Sequence, residues 1–216
     1  MRRWGKSTAD EVIGSVLFFA LVSGAVFSLS CVITPVSALR FGKTQSDFLL
    51  MTVQSALAVA GMPLIGVADR KLRLDLSPLL YALIYVFLFC AVFLGEILSF
   101  YYLIPQWDTV LHFFSGVMLT LLGFHLTQKP GLGMPDYAAA LFAFCFSLSL
   151  GTLWEGYEYV MDGLMHMNMQ KFRDDALGLF VGRGALKDTM QDLLVDTAAA
   201  FVTALCRICK RSKIDS

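Results

Sequence analysis

Charge is scarce in this sequence, and what there is cancels. Only 16% of the residues are charged, with 17 Lys and Arg against 17 Asp and Glu, so no basic field exists to hold nucleic acid. Histidine is limited to three residues, and there is no His-Glu-x-x-His, no two-histidine cluster and no doubled Cys-x-x-Cys. The five cysteines, at 31, 90, 145, 206 and 209, form an odd set scattered in or beside apolar stretches. That is no disulfide framework, and they read as small hydrophobes. An isolated Cys206-x-x-Cys209 lacks the second pair a zinc site needs. Internal repeats and low-complexity linkers are also missing, which argues against a carrier built from inverted repeats.

What the chain has in abundance is apolar length. Hydrophobic residues make up 57% of it. The mean hydropathy of +0.67 excludes a disordered chain and implies a membrane protein. A hydrocarbon core about 30 Å thick needs ~20 apolar residues in a helix. Residues 12–39 and 48–68 satisfy this with no charge. Residues 79–104 carry only Glu96, residues 109–128 only His112 and His125, and residues 137–161 only Glu155 and Glu158. A sixth segment, 188–206, holds Asp188, Asp192 and Asp196 in its first half, so re-entry competes with spanning.

Lys and Arg counts decide the topology, because cytoplasmic segments hold the excess. The N-terminus (Arg2, Arg3, Lys6), the second loop (Arg70, Lys71, Arg73), the fourth (Lys129) and the C-terminus (Arg207, Lys210, Arg211, Lys213) carry most of the basic residues. The opposite side holds Arg40, Lys43, Lys171, Arg173, Arg183 and Lys187. Six helices in one all-α transmembrane bundle of residues 1–216, with both termini cytoplasmic, fit this pattern best. A cleaved signal ending near Val36-Ser37-Ala38 is the competing reading for the first segment, but its apolar stretch far exceeds a signal core of 7 to 15 residues. Residues 162–187 then form a longer outer loop, whose piece 176–186 suits the interface.

On this topology the ionisable residues of the last four helices gather at their outer ends. Asp108 and His112 stand four apart; Glu155, Glu158 and Asp162 follow three and seven; Asp188, Asp192 and Asp196 repeat every four. Each set lies on one helical face. Glu96 is expected roughly 12 Å inside its helix. A carboxylate at mid-bilayer costs on the order of 3 kcal/mol, so these groups cannot stand bare. Protonation, an Arg or Lys folded in from the outer loop (Arg183 or Lys187), or a bound cation would offset them. Carboxylates with one imidazole suit Mg, Mn, Zn or Fe. The expected ligands are His112, Glu155, Glu158 and Asp192, ringed by Asp108 and Asp188, with Glu96 or Asp196 as general base. Without a cation, the same acids would pin helix ends through hydrogen bonds to Trp107, Tyr157, Thr109 or Thr189. His166 extends the Glu158 and Asp162 face if that helix persists. Ser115-Gly116, Gly123, Ser147, Gly151 and Gly24-x-x-x-Ser28 read as close-packing surfaces.

Three segments taken together resemble a known family: Trp107-Asp108-Thr109-Val110-Leu111-His112-Phe113 with Ser115-Gly116, then Trp154-Glu155-Gly156-Tyr157-Glu158-Tyr159 with Asp162, then Asp188-Thr189-Met190-Gln191-Asp192-Leu193 with Asp196. They look like the YjdF-type family of uncharacterised bacterial inner-membrane proteins. The likeness spans the C-terminal half and departs at Ala198-Ala199-Ala200, where a glycine is expected. It implies a multi-pass protein of the bacterial inner membrane and points at the same polar residues, but it implies no reaction. The polar residues leave three functional readings open: a cation site used by a metal-dependent enzyme on a lipid or envelope substrate or by a sensor, a small ion- or proton-coupled transporter, for which a homo-oligomer stays open, and a non-catalytic membrane scaffold.

Overall fold

The computed structural model describes residues 8–34, 43, 45–128, 133–174 and 178–212. The signal-like site at 36–38, basic residues Arg2, Arg3, Lys6, Arg40, Lys129 and Lys213, and the start of the 176–186 piece lie outside the described residues. The fold is all-α, as an apolar chain in lipid requires, since helices satisfy their own backbone groups. Its elements are α1 (Thr8–Ile33), α2 (Gln45–Leu72), α3 (Pro78–Leu88) continuing as a π-helical segment (Phe89–Ile97), the single turn α4 (Phe100–Leu103), α5 (Trp107–Thr127), α6 (Asp136–Met165) and α7 (Lys187–Ser212). Arg173 and Leu179 form an isolated antiparallel bridge in the loop before α7. The chain divides into two compact units, Met1–Trp107 and Asp108–Ser216.

Among the described residues, five helical stretches are long and apolar enough to cross a membrane: Gly14–Ile33, Gln45–Leu72, Pro78–Ile97, Trp107–Thr127 and Asp136–Met165. Helix α7 has the length, about 39 Å over 26 residues, but its acidic first half and basic end keep it out of that set.

In the first unit α1 packs along α2 and on the π-helical segment. Leu21, Ala58 and Met62 form one apolar cluster with Tyr85, Leu88 and Phe93, while Cys31, Phe48 and Met51 form another with Ile97. Gly24 lets α1 approach the side chains of Ile97 and Phe93, and one turn on the Thr52 hydroxyl donates to Ser28 Oγ at 3.0 Å. Small and hydroxyl residues thus hold this pair together, as the Gly24-x-x-x-Ser28 spacing predicts. The turn from α2 to α3 is stapled by Asp69, which accepts from the Leu76 N–H at 3.1 Å and from the Tyr81 hydroxyl at 2.7 Å.

The third span differs from the expected continuous helix over 79–104. Its backbone widens to π geometry from Phe89, ends at Ile97, and turns through Ser99 at φ 63° into α4. The left-handed Ser99 cannot continue a helix, and Gly95 has no Cβ to obstruct the Tyr101 ring folded back on it. Glu96 therefore sits next to the end of the segment, not two turns inside a helix.

In the second unit the core is built from small residues. Ala139, Ala140, Ala143 and Ala204 surround Phe124, with Met134 and Ile208 at the edge. A Cβ on Gly123 would lie 2.7 Å from Ala143 Cα, and one on Gly116 would lie 2.8 Å from Ala199 Cβ. Ala199 and Ala200 are both fully buried, so alanine serves here where a glycine was expected. The Ser147 hydroxyl adds a bond from α6 to the Gly116 carbonyl at 3.1 Å. Replacing Gly123 with Ala should force α5 and α6 apart and destabilise the protein by about 1–3 kcal/mol. Thermal unfolding in detergent measures this; a midpoint equal to wild type would show that the two backbones do not meet there.

Candidate metal centre

The second unit gathers carboxylates from three helices around one imidazole. Asp108, His112 and Ser115 share a face of α5 by their four- and three-residue steps; Glu155, Glu158 and Asp162 share one of α6; Asp188, Asp192 and Asp196 share one of α7. All but Ser115, Asp108 and Asp188 are buried, Asp192 and Asp196 to 1% exposure. His112 lies at the centre. Its Nδ1 is 3.2 Å from Asp196 Oδ2, and its Nε2 is 3.7 Å from Glu155 Oε1 and 3.9 Å from Asp108 Oδ1. Ser115 Oγ donates to the other Asp196 oxygen at 3.3 Å, so that carboxylate is fixed from two sides of α5.

The loop after α6 closes over these groups. Helix α6 persists to Met165, and His166 at φ 56° ends it, so His166 leaves the helical face that would have aligned it with Asp162. Its carbonyl instead accepts from the Arg173 guanidinium at 2.7 Å. Asp162 accepts from the N–H groups of Met169 at 2.7 Å and Gln170 at 2.9 Å, which turns the loop back toward the helices. Gln170 Nε2 then donates to Glu155 Oε2 at 3.2 Å, and Lys171 Nζ reaches Asp108 Oδ2 at 2.6 Å and Asp188 Oδ1 at 2.8 Å. Partial desolvation works against the Lys171 charge, yet the two carboxylates outweigh it and hold its pKa above the ordinary lysine value.

The loop cation that offsets the acids is thus Lys171, not Arg183 or Lys187, which are exposed and form no ion pair among the described residues. Lys171 was not singled out from the sequence, although it is the basic residue that follows Asp162 most closely; its partners depend on the Asp162 turn, which spacing does not reveal. An aromatic partner not foreseen is Trp154, whose Nε1 donates to Glu158 Oε1 at 2.9 Å, one helical turn away. Thr109 Oγ1 accepts from Gln191 Nε2 at 2.9 Å, tying α5 to α7. Glu96, expected to join the cluster, belongs to the first unit.

After these bonds some oxygens are left over. Glu155 Oε1, Asp188 Oδ2 and Asp192 Oδ1 are buried with no hydrogen-bond partner among the described residues. Donor atoms of Asp108, His112 and Asp192 all lie within 4.8 Å of one another, a spacing that one cation can bridge. An orphaned buried carboxylate oxygen is costly, and a cation is the partner its chemistry accepts best.

The geometry depends on Gly151, where a Cβ would collide with the Asp196 carboxylate. Gly151→Ala should displace Asp196 from His112 and cost about 1–3 kcal/mol. Gly156→Ala, on the same helix with nothing within 4 Å, should leave stability unchanged or raise it. Thermal unfolding of the two variants side by side checks this; equal effects would show that Asp196 is not held against Gly151.

Comparison with known proteins agrees with a membrane location and adds no reaction. No solved structure matches the chain. A protein of Thermotoga maritima described as "Uncharacterized protein" is 31% identical over 113 residues, covering 51% of this chain and 52% of its own length, so the chain spans about half of that relative. The family described as "Predicted membrane protein (DUF2238)" matches residues 16–212, nearly the whole sequence, and the chain belongs to it.

Proposed function

We propose that this multi-pass protein sits in the bacterial inner membrane with both termini inside, and that it holds a divalent cation between α5 and α7 at the outer side. The observation that carries this reading is Asp192: its Oδ1 is buried without a hydrogen-bond partner among the described residues, and one of its carboxylate oxygens lies within bridging distance of donor atoms of Asp108 and His112. A proton on His112 Nδ1, donated to Asp196, leaves the Nε2 lone pair for the cation and fixes the ring. This is the carboxylate–histidine arrangement by which many metal sites orient their imidazole. Asp196 then acts as a positioning residue in place of the general-base role expected from sequence. Glu155, with Oε1 unpartnered and 3.7 Å from His112 Nε2, is the carboxylate placed to take up a proton.

Three protein ligands of oxygen and imidazole type suit Mn, Zn or Fe, and Mg less well for its preference for oxygen. A cation so held would supply a Lewis acid at the membrane, which fits hydrolysis of a lipid or envelope substrate better than transport. Lys171 meanwhile occupies Asp108 through a loop anchored on Asp162, so the protein carries its own competing cation.

Elemental analysis of the purified chain should find about one divalent ion, lost in Asp192→Asn and in His112→Gln. Wild-type protein that takes up no Mg, Mn, Zn or Fe on dialysis would overturn the proposal and leave the scaffold reading. Loading should weaken as pH falls, because imidazole and carboxylate must shed their protons to ligate.

A second measurement reads the competition. Lys171→Met should lower stability by about 1 kcal/mol in chelator, a small loss because 44% of the lysine side chain is accessible. Added Mn or Zn should then stabilise this variant more than wild type. Equal stabilisation of both would show that metal and lysine do not share Asp108.

A further inference from the structure

The second unit carries another feature that the metal centre does not use. On the side of α7 away from its acidic face, a groove of about 780 Å³ runs from the loop Gly182–Gly184 along the helix. Arg183 and Lys187 stand at its mouth, and Leu186, Met190, Leu194 and Ala198 form its floor. These four recur every fourth residue, so they make one stripe, about 18 Å long. That is enough to line one leaflet of a hydrocarbon core about 30 Å thick. Asp192 and Asp196 lie on another face and are buried, whereas Leu186, Met190 and Leu194 are 59%, 49% and 64% exposed.

The charges at the mouth say what covers the floor. Arg183 and Lys187 are both exposed and take no carboxylate among the described residues, although carboxylates crowd the opposite face of the same helix. Their neighbour Asp188 is already engaged by Lys171 at 2.8 Å. Two unpaired cations above a continuous apolar stripe complement an anionic group joined to a hydrocarbon chain. A guanidinium also matches phosphate oxygens in a bidentate manner. We infer that this groove is a binding site for an anionic phospholipid, its phosphate on Arg183 and Lys187 and one acyl chain along Leu186, Met190, Leu194 and Ala198.

The site stands on residues outside the metal centre, so either proposal can fail alone. Native mass spectrometry of the full chain, with dioleoyl phosphatidylglycerol and dioleoyl phosphatidylcholine added in equal amounts, tests it. Phosphatidylglycerol should be retained preferentially. Arg183→Gln should weaken retention about fivefold, and Arg183→Gln with Lys187→Gln about thirtyfold, the effect of removing one and two interfacial cations. Leu194→Trp, which fills the floor and keeps both charges, should also reduce retention, while metal content stays at the wild-type level in every variant. Equal retention of the two lipids, or wild-type preference in the double variant, would overturn the site. Loss of preference in the double variant with none in Leu194→Trp would replace it by a purely ionic surface contact.

Discussion

The second unit depends on one electrostatic constraint: several carboxylates buried in low dielectric around a single imidazole. Each lone charge moved out of water costs several kcal/mol, so such a cluster needs a partner, a proton or a cation for each of its members. His112 touches three acids, Lys171 bridges Asp108 and Asp188, and Asp162 uses both oxygens on backbone N–H groups. The remaining oxygens of Asp192 and Glu155 are the part of the account left open within the chain. Those unpartnered oxygens, more than the number of acids, are what the proposed cation would satisfy.

The constraint is met by backbone proximity. Gly116 admits Ala199, Gly123 admits Ala143, and Gly151 admits the Asp196 carboxylate itself. In lipid no hydrophobic force draws helices together, so such close van der Waals contact is what holds them. The same small residues therefore do two things: they pack α5, α6 and α7, and they bring Asp196 to within 3.2 Å of His112. Function and packing are coupled here because a methyl group at position 151 would alter both.

Much of this was legible beforehand, for identifiable reasons. Helical periodicity put Asp108 with His112, Glu155 with Glu158, and Asp188 with Asp192 and Asp196 on single faces, and α5 and α6 begin and end within a few residues of the expected spans. Periodicity carries no information on what interrupts a helix from within. The π turns from Phe89 and the left-handed Ser99 arise from tertiary contacts such as Tyr101 on Gly95, and they moved Glu96 from helix interior to helix end. Lys171 was missed for a related reason. Its reach is set by a loop folded on Asp162 and Gln170, a tertiary arrangement, whereas Arg183 and Lys187 were favoured only for nearness in sequence.

Helix α7 shows why composition and function pull against each other in this chain. Judged by apolarity it fails as a membrane span, and the residues responsible are those that build the candidate centre. Had Asp188, Asp192 and Asp196 been leucines, α7 would be far more apolar and His112 would lose the carboxylate that holds its Nδ1. Acids on a membrane helix are stable only when turned toward partners, so α7 cannot take its place independently of α5, α6 and the Lys171 loop. If α7 crosses the membrane, its insertion and the assembly of the polar cluster are one event, because the charge that makes the helix a poor span is satisfied only within that cluster.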